Sequence, residues 1–311
     1  MQRWSSVSAL RLSLVCLCLL FTAACSSILR NPVPEQYHLD TTVLGRNDLR
    51  IWGDRTGFEA YPLAALESSA AIEERYGGIM HKEHHYLAIS GGGANGAYGA
   101  GVLAGWSTLG TRPEFTLVTG VSTGALTAPF AFLGSDYDQQ LKEVYTTLDT
   151  SRIIIRRSLF SIIRGDSIVD STPLSRVLER YITDDVIAAI AREYRRGRAL
   201  HIGTTNLDAG RPVIWNIGRM ADSGHPDAPR LIRQVLLASA SIPGVFPPAY
   251  IRVQAADGRT YEEMHVDGGT SSQMFLYPSS TDWGRLLEIL DVQGRPTAYL
   301  IRNSRFMADF D

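Results

Sequence analysis

Short apolar segments alternate with longer amphipathic segments along the chain from about residue 85 onward. Short apolar runs bounded by glycine or proline predict strands, and longer stretches with apolar residues three and four apart predict helices. The predicted strands are Tyr86–Ile89, Phe115–Thr119, Ala199–Thr205, Pro212–Ile217, Glu262–Val266 and Ala298–Arg302. The predicted helices are Leu63–Tyr76, Ala97–Leu109, Ala125–Leu133, Asp185–Arg196 and Pro229–Ala240. Because helices separate most strands, the pattern predicts an α/β fold with a largely parallel sheet covered on both faces.

The N-terminus has the organisation of a secretory signal. Arg3 and Arg11 precede the apolar run Leu12–Phe21, and small residues come after it as far as Ala24. The run is only about half of the ~20 apolar residues that a membrane-spanning helix needs. We therefore predict that residues 1–24 are a removable signal peptide and not a transmembrane helix.

The cysteine pattern indicates a role for the residue after the signal. Cys16 and Cys18 lie inside the predicted signal, so the mature chain would keep Cys25 alone and could form no internal disulfide. Residues 22–25 resemble a bacterial lipobox, and by that resemblance Ser26 favours the outer membrane, facing the periplasm. We expect lipidation of Cys25 and attachment to the cell envelope through more than one acyl chain. The alternative is an ordinary signal that is cleaved near this point.

The rest of the chain divides into a flank, residues 25–84, and a catalytic domain, residues 85–311. We predict a tether and a flank with little chemistry for the first part, because its proline and glycine are scattered. The histidines of residues 81–85 predict a solvated loop and no metal site, since the glutamate is displaced from its place in an HExxH helix. The sequence predicts no helix after the last strand, which leaves either a very short flank or a truncated chain.

Composition narrows the range of partners. The chain has 311 residues, 45% of them hydrophobic and 20% charged, as is ordinary for a globular protein. Its formal net charge is −2, and no basic stripe with interleaved aromatic residues is present in the sequence. Nucleic acid is therefore not expected as a partner.

The first candidate for chemistry is a serine between two glycines. Ser122 stands between Gly120 and Gly124, with a predicted strand before it and a predicted helix after it. This context places a serine hydroxyl on a tight turn at the carboxyl edge of a sheet, next to a helix N-terminus that favours negative charge. The alternative is that Ser122 only caps the helix.

A glycine-rich loop, residues 90–101, lies between the first predicted strand of the domain and its helix. Consecutive glycines allow several backbone N–H groups to converge on one oxyanion, and the candidates are Gly92, Gly93 and Ala94. The same loop also has the GxGxxG spacing of a dinucleotide site, for which Glu114 would be the acidic residue. That alternative leaves the serine motif unexplained and places Glu114 at the start of a strand, where its acid is not expected.

The third candidate is an aspartate that precedes two glycines. The order of an α/β-hydrolase triad, serine then acid then histidine, would need an acid such as Asp166 paired with His201 or His225, and nothing in the sequence marks those residues. Asp267, in contrast, ends an apolar strand. We expect it to project at the carboxyl edge where both glycine motifs lie, because parallel strands end together there. The alternative is a simple turn residue.

Together, and in this order, the motifs resemble those of the patatin-like phospholipase family. The motifs are GGGxxG at Gly91–Gly96, GxSxG at Gly120–Gly124, and DGG with Asp267, Gly268 and Gly269. Residues 238–248 also resemble the ASxxxPxxFxP block of that family, and the likeness spans about residues 86–274. Many members carry arginine where this chain has Asn95, so the likeness does not extend to a positive charge beside the loop.

The resemblance implies a three-layer α/β/α patatin-like fold with a mainly parallel central sheet. It also implies a Ser122–Asp267 dyad, an oxyanion hole in the glycine loop, a lipid or phospholipid substrate and no cofactor or metal. A non-catalytic envelope lipoprotein that binds lipid or a partner is the alternative from another class.

Residues 152–165 mix isoleucine and arginine, as either a lid at a membrane surface or a core-packed helix would.

Overall fold

The computed structural model describes residues 30–54, 68–147, 170–276 and 281–304. The predicted signal peptide, Cys25, Asp166 and residues 152–165 lie outside these ranges. The described residues from Pro32 onward belong to one compact unit. Within the described part of the chain, no helix is both long and apolar enough to cross a bilayer.

Helices and strands alternate along this unit. The helices are α1 (Ser69–Tyr76), α2 (Gly96–Thr108), α3 (Thr123–Leu133), α4 (Asp138–Thr147), α5 (Thr172–Tyr181), α6 (Asp184–Arg195), α7 (Ile217–Ala221), α8 (Ala228–Ser239) and α9 (Trp283–Ile289). The strands are β1 (Arg50–Trp52), β2 (His85–Ile89), β3 (Leu117–Val121), β4 (Ala199–Asn206), β5 (Arg211–Asn216), β6 (Ala249–Gln254), β7 (Thr260–Asp267) and β8 (Thr297–Ile301). Every predicted strand is present within two or three residues of its expected bounds. The helix predicted at residues 63–76 begins later than expected, at Ser69, because Ser68 has an extended backbone and its side chain caps the helix by accepting from the Ala71 N–H. Residues 63–67 lie outside the described ranges.

The described strands form one sheet in the order β1-β5-β4-β3-β2-β8, and β7 pairs with both β4 and β6. The four strands β8, β2, β3 and β4 run parallel to one another. The strands β1, β5, β6 and β7 join this core through antiparallel pairings. The predicted α/β class and three-layer fold with a parallel centre are confirmed. The antiparallel direction of β7 was not predicted, and it decides how the site is assembled.

Helix α3 lies at the centre of the core. It is buried from Thr123 to Phe132, and it is apolar on all sides because it has no solvent-facing side. Its first residue directly follows Ser122, so the N-terminal N–H groups of the helix lie inside the protein beside that serine. The largest fully buried side chains are Trp215, Phe115, Phe130 and Phe132.

Two parts of the predicted flank differ from expectation. Strand β1 pairs with β5 through Arg50, Ile51 and Trp52, so this part of the flank belongs to the sheet. His84, predicted in a solvated loop, is buried, and its ring nitrogens bond to the Tyr86 hydroxyl at 2.8 Å and to the Ile79 carbonyl at 2.9 Å. Burial lowers the pKa of His84. The prediction was wrong for His84 because the Tyr86 hydroxyl and the Ile79 carbonyl satisfy both ring nitrogens, which allows the ring to be buried.

Candidate active site

Ser122 forms the turn between β3 and α3. Its backbone has φ 55° and ψ −125°, a region that non-glycine residues seldom occupy and that is typical of a nucleophile elbow. The residue is buried, and its backbone N–H donates to Ser239 Oγ at 3.0 Å. The strained backbone therefore has a hydrogen bond that holds it in place.

The glycines of the elbow are required by close backbone packing. A Cβ atom on Gly124 would lie 2.3 Å from the Ile89 carbonyl oxygen, and one on Gly120 would lie 2.5 Å from the Gly124 carbonyl oxygen. Neither contact is possible without moving the backbone, because these are main-chain atoms. The glycines thus allow α3 to start directly against β2.

Asp267 ends β7 and lies next to Ser122. Its Oδ1 accepts from the Gly269 N–H at 2.7 Å, and its own N–H donates to the Ser241 carbonyl at 2.9 Å. Its Oδ2 is buried and has no hydrogen-bond partner among the described residues. Burial raises the pKa of Asp267, and this is opposed first by the Ser122 hydroxyl and then by the Gly269 N–H. One carboxylate oxygen is therefore held in place while the other remains available beside the serine.

Strand pairing explains why these two residues meet. Strand β3 pairs with β4 up to Val121, opposite Gly203. Strand β7 pairs with the next part of β4 and ends at Asp267, opposite Thr204. Because these two β4 residues are consecutive, the ends of β3 and β7 meet head to head along one strand. Asp267 thus reaches the predicted edge, but the reason given for it was wrong, because β7 is antiparallel to β4.

The glycine loop lies against the elbow from the other side. A Cβ atom on Gly91 would be 3.0 Å from Ser122 Cβ. The loop then forms a 3-10 turn, Gly93–Asn95, at whose start the N–H groups of Gly93 and Ala94 have no helical partner. Neither these N–H groups nor that of Gly92 donates to any residue in the described ranges.

The remaining motif glycines also mark close approaches. A Cβ atom on Gly96 would lie 1.9 Å from Thr123 Oγ1, so the start of α2 packs on the start of α3. One on Gly268 would lie 2.4 Å from the Gly203 carbonyl oxygen, and one on Gly269 would lie 3.0 Å from Asp267 Oδ1. All three sequence motifs therefore meet at one place in the fold.

The comparison with protein families agrees with this geometry. The family model described as patatin-like phospholipase matches residues 87–278, which is more than half of the chain. The chain belongs to the patatin-like phospholipase family. This membership supports lipid acyl hydrolase activity in general.

Among solved structures, VipD from Legionella pneumophila is similar to this patatin-like chain. The two are 15% identical, with a TM-score of 0.42 over 71% of this chain and 49% of VipD. The chain thus spans about half the length of VipD. No curated protein matches the chain in sequence.

The residues of the alternative sites occupy other surroundings in this patatin-like protein. Glu114 precedes β3, at the opposite edge of the sheet from the glycine loop, and accepts hydrogen bonds from Arg196. His201 lies within β4, where burial lowers its pKa to about 4, and His225 accepts from the Asp227 N–H. In the described ranges no three histidine, cysteine, aspartate or glutamate side chains come together as a metal site would require.

Sequence reasoning missed two kinds of supporting residue. Ser239 lies on the buried face of α8, four residues after Val235, and its hydroxyl donates to the Gly203 carbonyl at 2.6 Å while accepting from Ser122 N–H. It belongs to the block of residues 238–248 that resembles the family, which was a signal that could have identified it.

The second kind is a buried polar network behind Asp267. His265 and Glu263 precede it on the same face of β7, because alternate residues of a strand share a face. His265 Nε2 lies 3.0 Å from Glu263 Oε2, and Arg50 from β1 pairs with Glu263. Burial by itself would raise the pKa of Glu263, but the charge of Arg50 holds it well below its ordinary value.

Proposed function

We propose that this protein hydrolyses fatty-acyl esters of lipids, with Ser122 as the nucleophile and Asp267 as the general base. The observation that carries this proposal is the buried Asp267 Oδ2, which lies beside a serine on a strained turn and has no hydrogen-bond partner within the described part of the chain. A buried carboxylate oxygen without a partner is costly for the fold, so its retention favours a catalytic use.

In the first step, Ser122 Oγ attacks the carbonyl carbon of the ester while its proton passes to Asp267 Oδ2. The carbonyl oxygen becomes an oxyanion, which the N–H groups of Gly92, Gly93 and Ala94 would stabilise. When the tetrahedral intermediate collapses, the C–O bond to the alcohol breaks and the alcohol leaves with the proton from Asp267. An acyl-serine ester remains on the enzyme.

In the second step, a water molecule gives its proton to Asp267 and attacks the acyl carbon. The same N–H groups stabilise the second oxyanion. Collapse breaks the bond to Ser122 Oγ, which recovers its proton from Asp267, and the fatty acid is released. Both half-reactions need one base and one oxyanion site, so the described residues are sufficient without a histidine.

The raised pKa of Asp267 suits this role. An ordinary aspartate is a weak base, and burial brings its proton affinity closer to that of the groups it must deprotonate. The Gly269 N–H keeps part of the negative charge stabilised, so the carboxylate still ionises.

A fluorophosphonate probe tests the proposal directly, because it reacts covalently with activated serines. The wild-type protein should be labelled at Ser122, and Ser122→Ala should abolish both labelling and ester hydrolysis. Asp267→Asn, which keeps the side-chain size but removes the base, should slow labelling by at least about a hundredfold, within the range expected for losing a general base. Ser107→Ala is the matched control, since Ser107 lies on α2 and bonds to Arg112, away from the elbow.

Two results would contradict the proposal. If the folded protein binds phospholipid vesicles but neither reacts with the probe nor hydrolyses any ester, it is a lipid-binding protein and not a hydrolase. If it binds NAD tightly and is not labelled, the glycine loop serves a dinucleotide.

We also propose that lipid on Cys25 attaches the protein to the bacterial envelope. The support for this is the sequence alone, in which Cys25 directly follows the signal-like segment. Metabolic labelling with an alkyne fatty acid should label the wild-type protein and not Cys25→Ser. Equal labelling of both proteins would reject the attachment site.

A further inference from the structure

Asn303 is a buried polar residue that the proposed chemistry does not use. It lies just after the last strand, β8, and only about 2% of its surface is exposed. It lies beyond the family match, which ends at residue 278. A buried amide carries donors and acceptors that must be satisfied, so its partners are informative.

The partners of Asn303 are the two ends of the glycine loop. Its Nδ2 donates to the Ser90 carbonyl at 2.9 Å, and its backbone N–H donates to Ser90 Oγ at 2.9 Å. Its Oδ1 accepts from the Gly99 N–H, in the first turn of α2, at 3.1 Å. The Ser90 hydroxyl in turn donates to the Gly91 carbonyl at 2.7 Å. One side chain therefore connects the strand that enters the loop to the helix that leaves it.

Asn303 also contacts the loop by direct packing. A Cβ atom on Gly92 would lie 2.1 Å from the Asn303 carbonyl oxygen, and one on Gly99 would lie 2.7 Å from its Oδ1. The absence of a side chain at these two glycines is what allows Asn303 to approach the loop backbone so closely. Asn303 therefore packs directly against the Gly92 backbone, and the preceding residue, Gly91, packs against Ser122.

We infer that Asn303 is a positioning residue that fixes the glycine loop so that its N–H groups point at the oxyanion. This inference rests on the proposed hydrolase function. Among the described residues Asn303 makes no hydrogen bond to Ser122 or Asp267, so it would act through Ser90, Gly92 and Gly99. An oxyanion hole works only if its donors are already oriented when charge develops, so a loosened loop should reduce turnover more than substrate binding.

The test uses the full-length protein and a soluble p-nitrophenyl ester. Asn303→Asp keeps the shape and the acceptor to Gly99 but places an oxygen opposite the Ser90 carbonyl, where the two acceptors repel each other. We expect kcat to fall at least about tenfold with KM changed less than about twofold. A trifluoromethyl ketone, which forms a tetrahedral adduct with the serine, should bind more weakly by a similar factor.

Asn216→Ala is the matched control. Asn216 Oδ1 accepts from the Arg219 N–H at the start of α7, so this variant also loses a partly buried side-chain hydrogen bond, but one that lies far from the loop in sequence. It should retain the wild-type kcat and inhibitor affinity. If Asn303→Asp does not fold, Ser90→Ala can be used instead, because it removes only the hydroxyl that accepts from the Asn303 N–H. Ser90→Ala should also lower kcat and weaken inhibitor binding, but by a smaller factor than Asn303→Asp.

The outcomes separate the two proposals. A wild-type protein that neither turns over the ester nor forms the adduct overturns both. An active wild type whose folded Asn303→Asp or Ser90→Ala variant keeps its kcat and inhibitor affinity overturns only the role of Asn303. If Asn216→Ala loses as much kcat as Asn303→Asp at the same folded fraction, the loss reflects a general effect on stability. That result also overturns the role of Asn303.

Discussion

Replacing Arg50 with methionine would leave the Glu263 carboxylate buried without its charged partner. Arg50 Nη2 donates to Glu263 Oε1 at 2.8 Å and to Thr41 Oγ1 at 2.7 Å, and its Nη1 also bonds to Glu263. The Arg50 guanidinium lies 5.0 Å from the centre of the Trp215 ring. Only 9% of the Arg50 side chain and 1% of the Glu263 side chain are exposed, so water cannot replace the lost interactions.

The expected cost comes from this burial. Removing one partner of a buried, hydrogen-bonded ion pair destabilises a protein by roughly 3 to 5 kcal/mol, because the remaining charge is left uncompensated. For a domain of this size about 2 to 4 °C of melting temperature is lost per kcal/mol, so the variant should melt about 6 to 20 °C lower. A loss of roughly 3 to 5 kcal/mol is a large part of the ~5 to 15 kcal/mol by which the folded state of an ordinary protein is stable.

The pH dependence of unfolding gives a second test of the effect of Arg50→Met on stability. In the wild type the pKa of Glu263 is held below its ordinary value of 4.5, so its contribution to stability is present above that pH and is lost as the pH falls. Without Arg50, the burial that raises the pKa of Glu263 is still opposed by His265 but no longer by Arg50. We therefore expect the pKa of Glu263 to be higher in the variant, so that the buried carboxylate stabilises the fold less as the pH rises above 4.5. The difference between wild type and variant should therefore be largest near neutral pH and shrink in acid.

Urea unfolding followed by circular dichroism, at several pH values, measures these differences. The control is the double variant Arg50→Met with Glu263→Gln, which removes both charges and keeps an acceptor for His265, and it should recover most of the lost stability. The reasoning is refuted if Arg50→Met costs less than about 1 kcal/mol at neutral pH, or if the double variant is no more stable than the single one.

Three further predictions concern the site. The acid limb of kcat/KM should have its midpoint above 3.8, the ordinary pKa of aspartate, because only ionised Asp267 can accept the proton; a midpoint at or below that value, measured with a soluble ester, would contradict the role of burial. Ser239→Ala leaves the Ser122 N–H buried without its partner, which should lower the unfolding free energy by about 1 to 3 kcal/mol and lower kcat about tenfold at unchanged KM. Unchanged steady-state kinetics would show that Ser239 does not position Ser122. Gly124→Ala should lower the unfolding free energy by about 1 to 3 kcal/mol or more, because its Cβ would lie 2.3 Å from the Ile89 carbonyl oxygen; a melting temperature equal to wild type would disprove the close packing.

The local features of this protein were readable from its sequence. Hydrophobic periodicity located the strands, because side chains alternate or recur according to the geometry of each element. Gly120 and Gly124 marked the elbow, because the positions on either side of such a tight turn pack too closely against backbone to hold a side chain. Strand β6 was not predicted, although the sequence carries a signal for it. Asp257-Gly258 is a typical hairpin turn, and β6 and β7 pair across it.

The assembly of the site was decided by the tertiary structure alone. The direction of β7 depends on its hairpin with β6 and on which part of β4 remains free once β3 has ended, and no property of residues 260–267 states this. The same holds for Arg50 and Glu263, which are separated by 213 residues, and for Ser90 and Asn303, which are also separated by 213. Periodicity and turn signals describe neighbours in the chain. Contacts between distant residues arise only when the whole core packs, so the partners of a buried polar group must be read from the folded molecule.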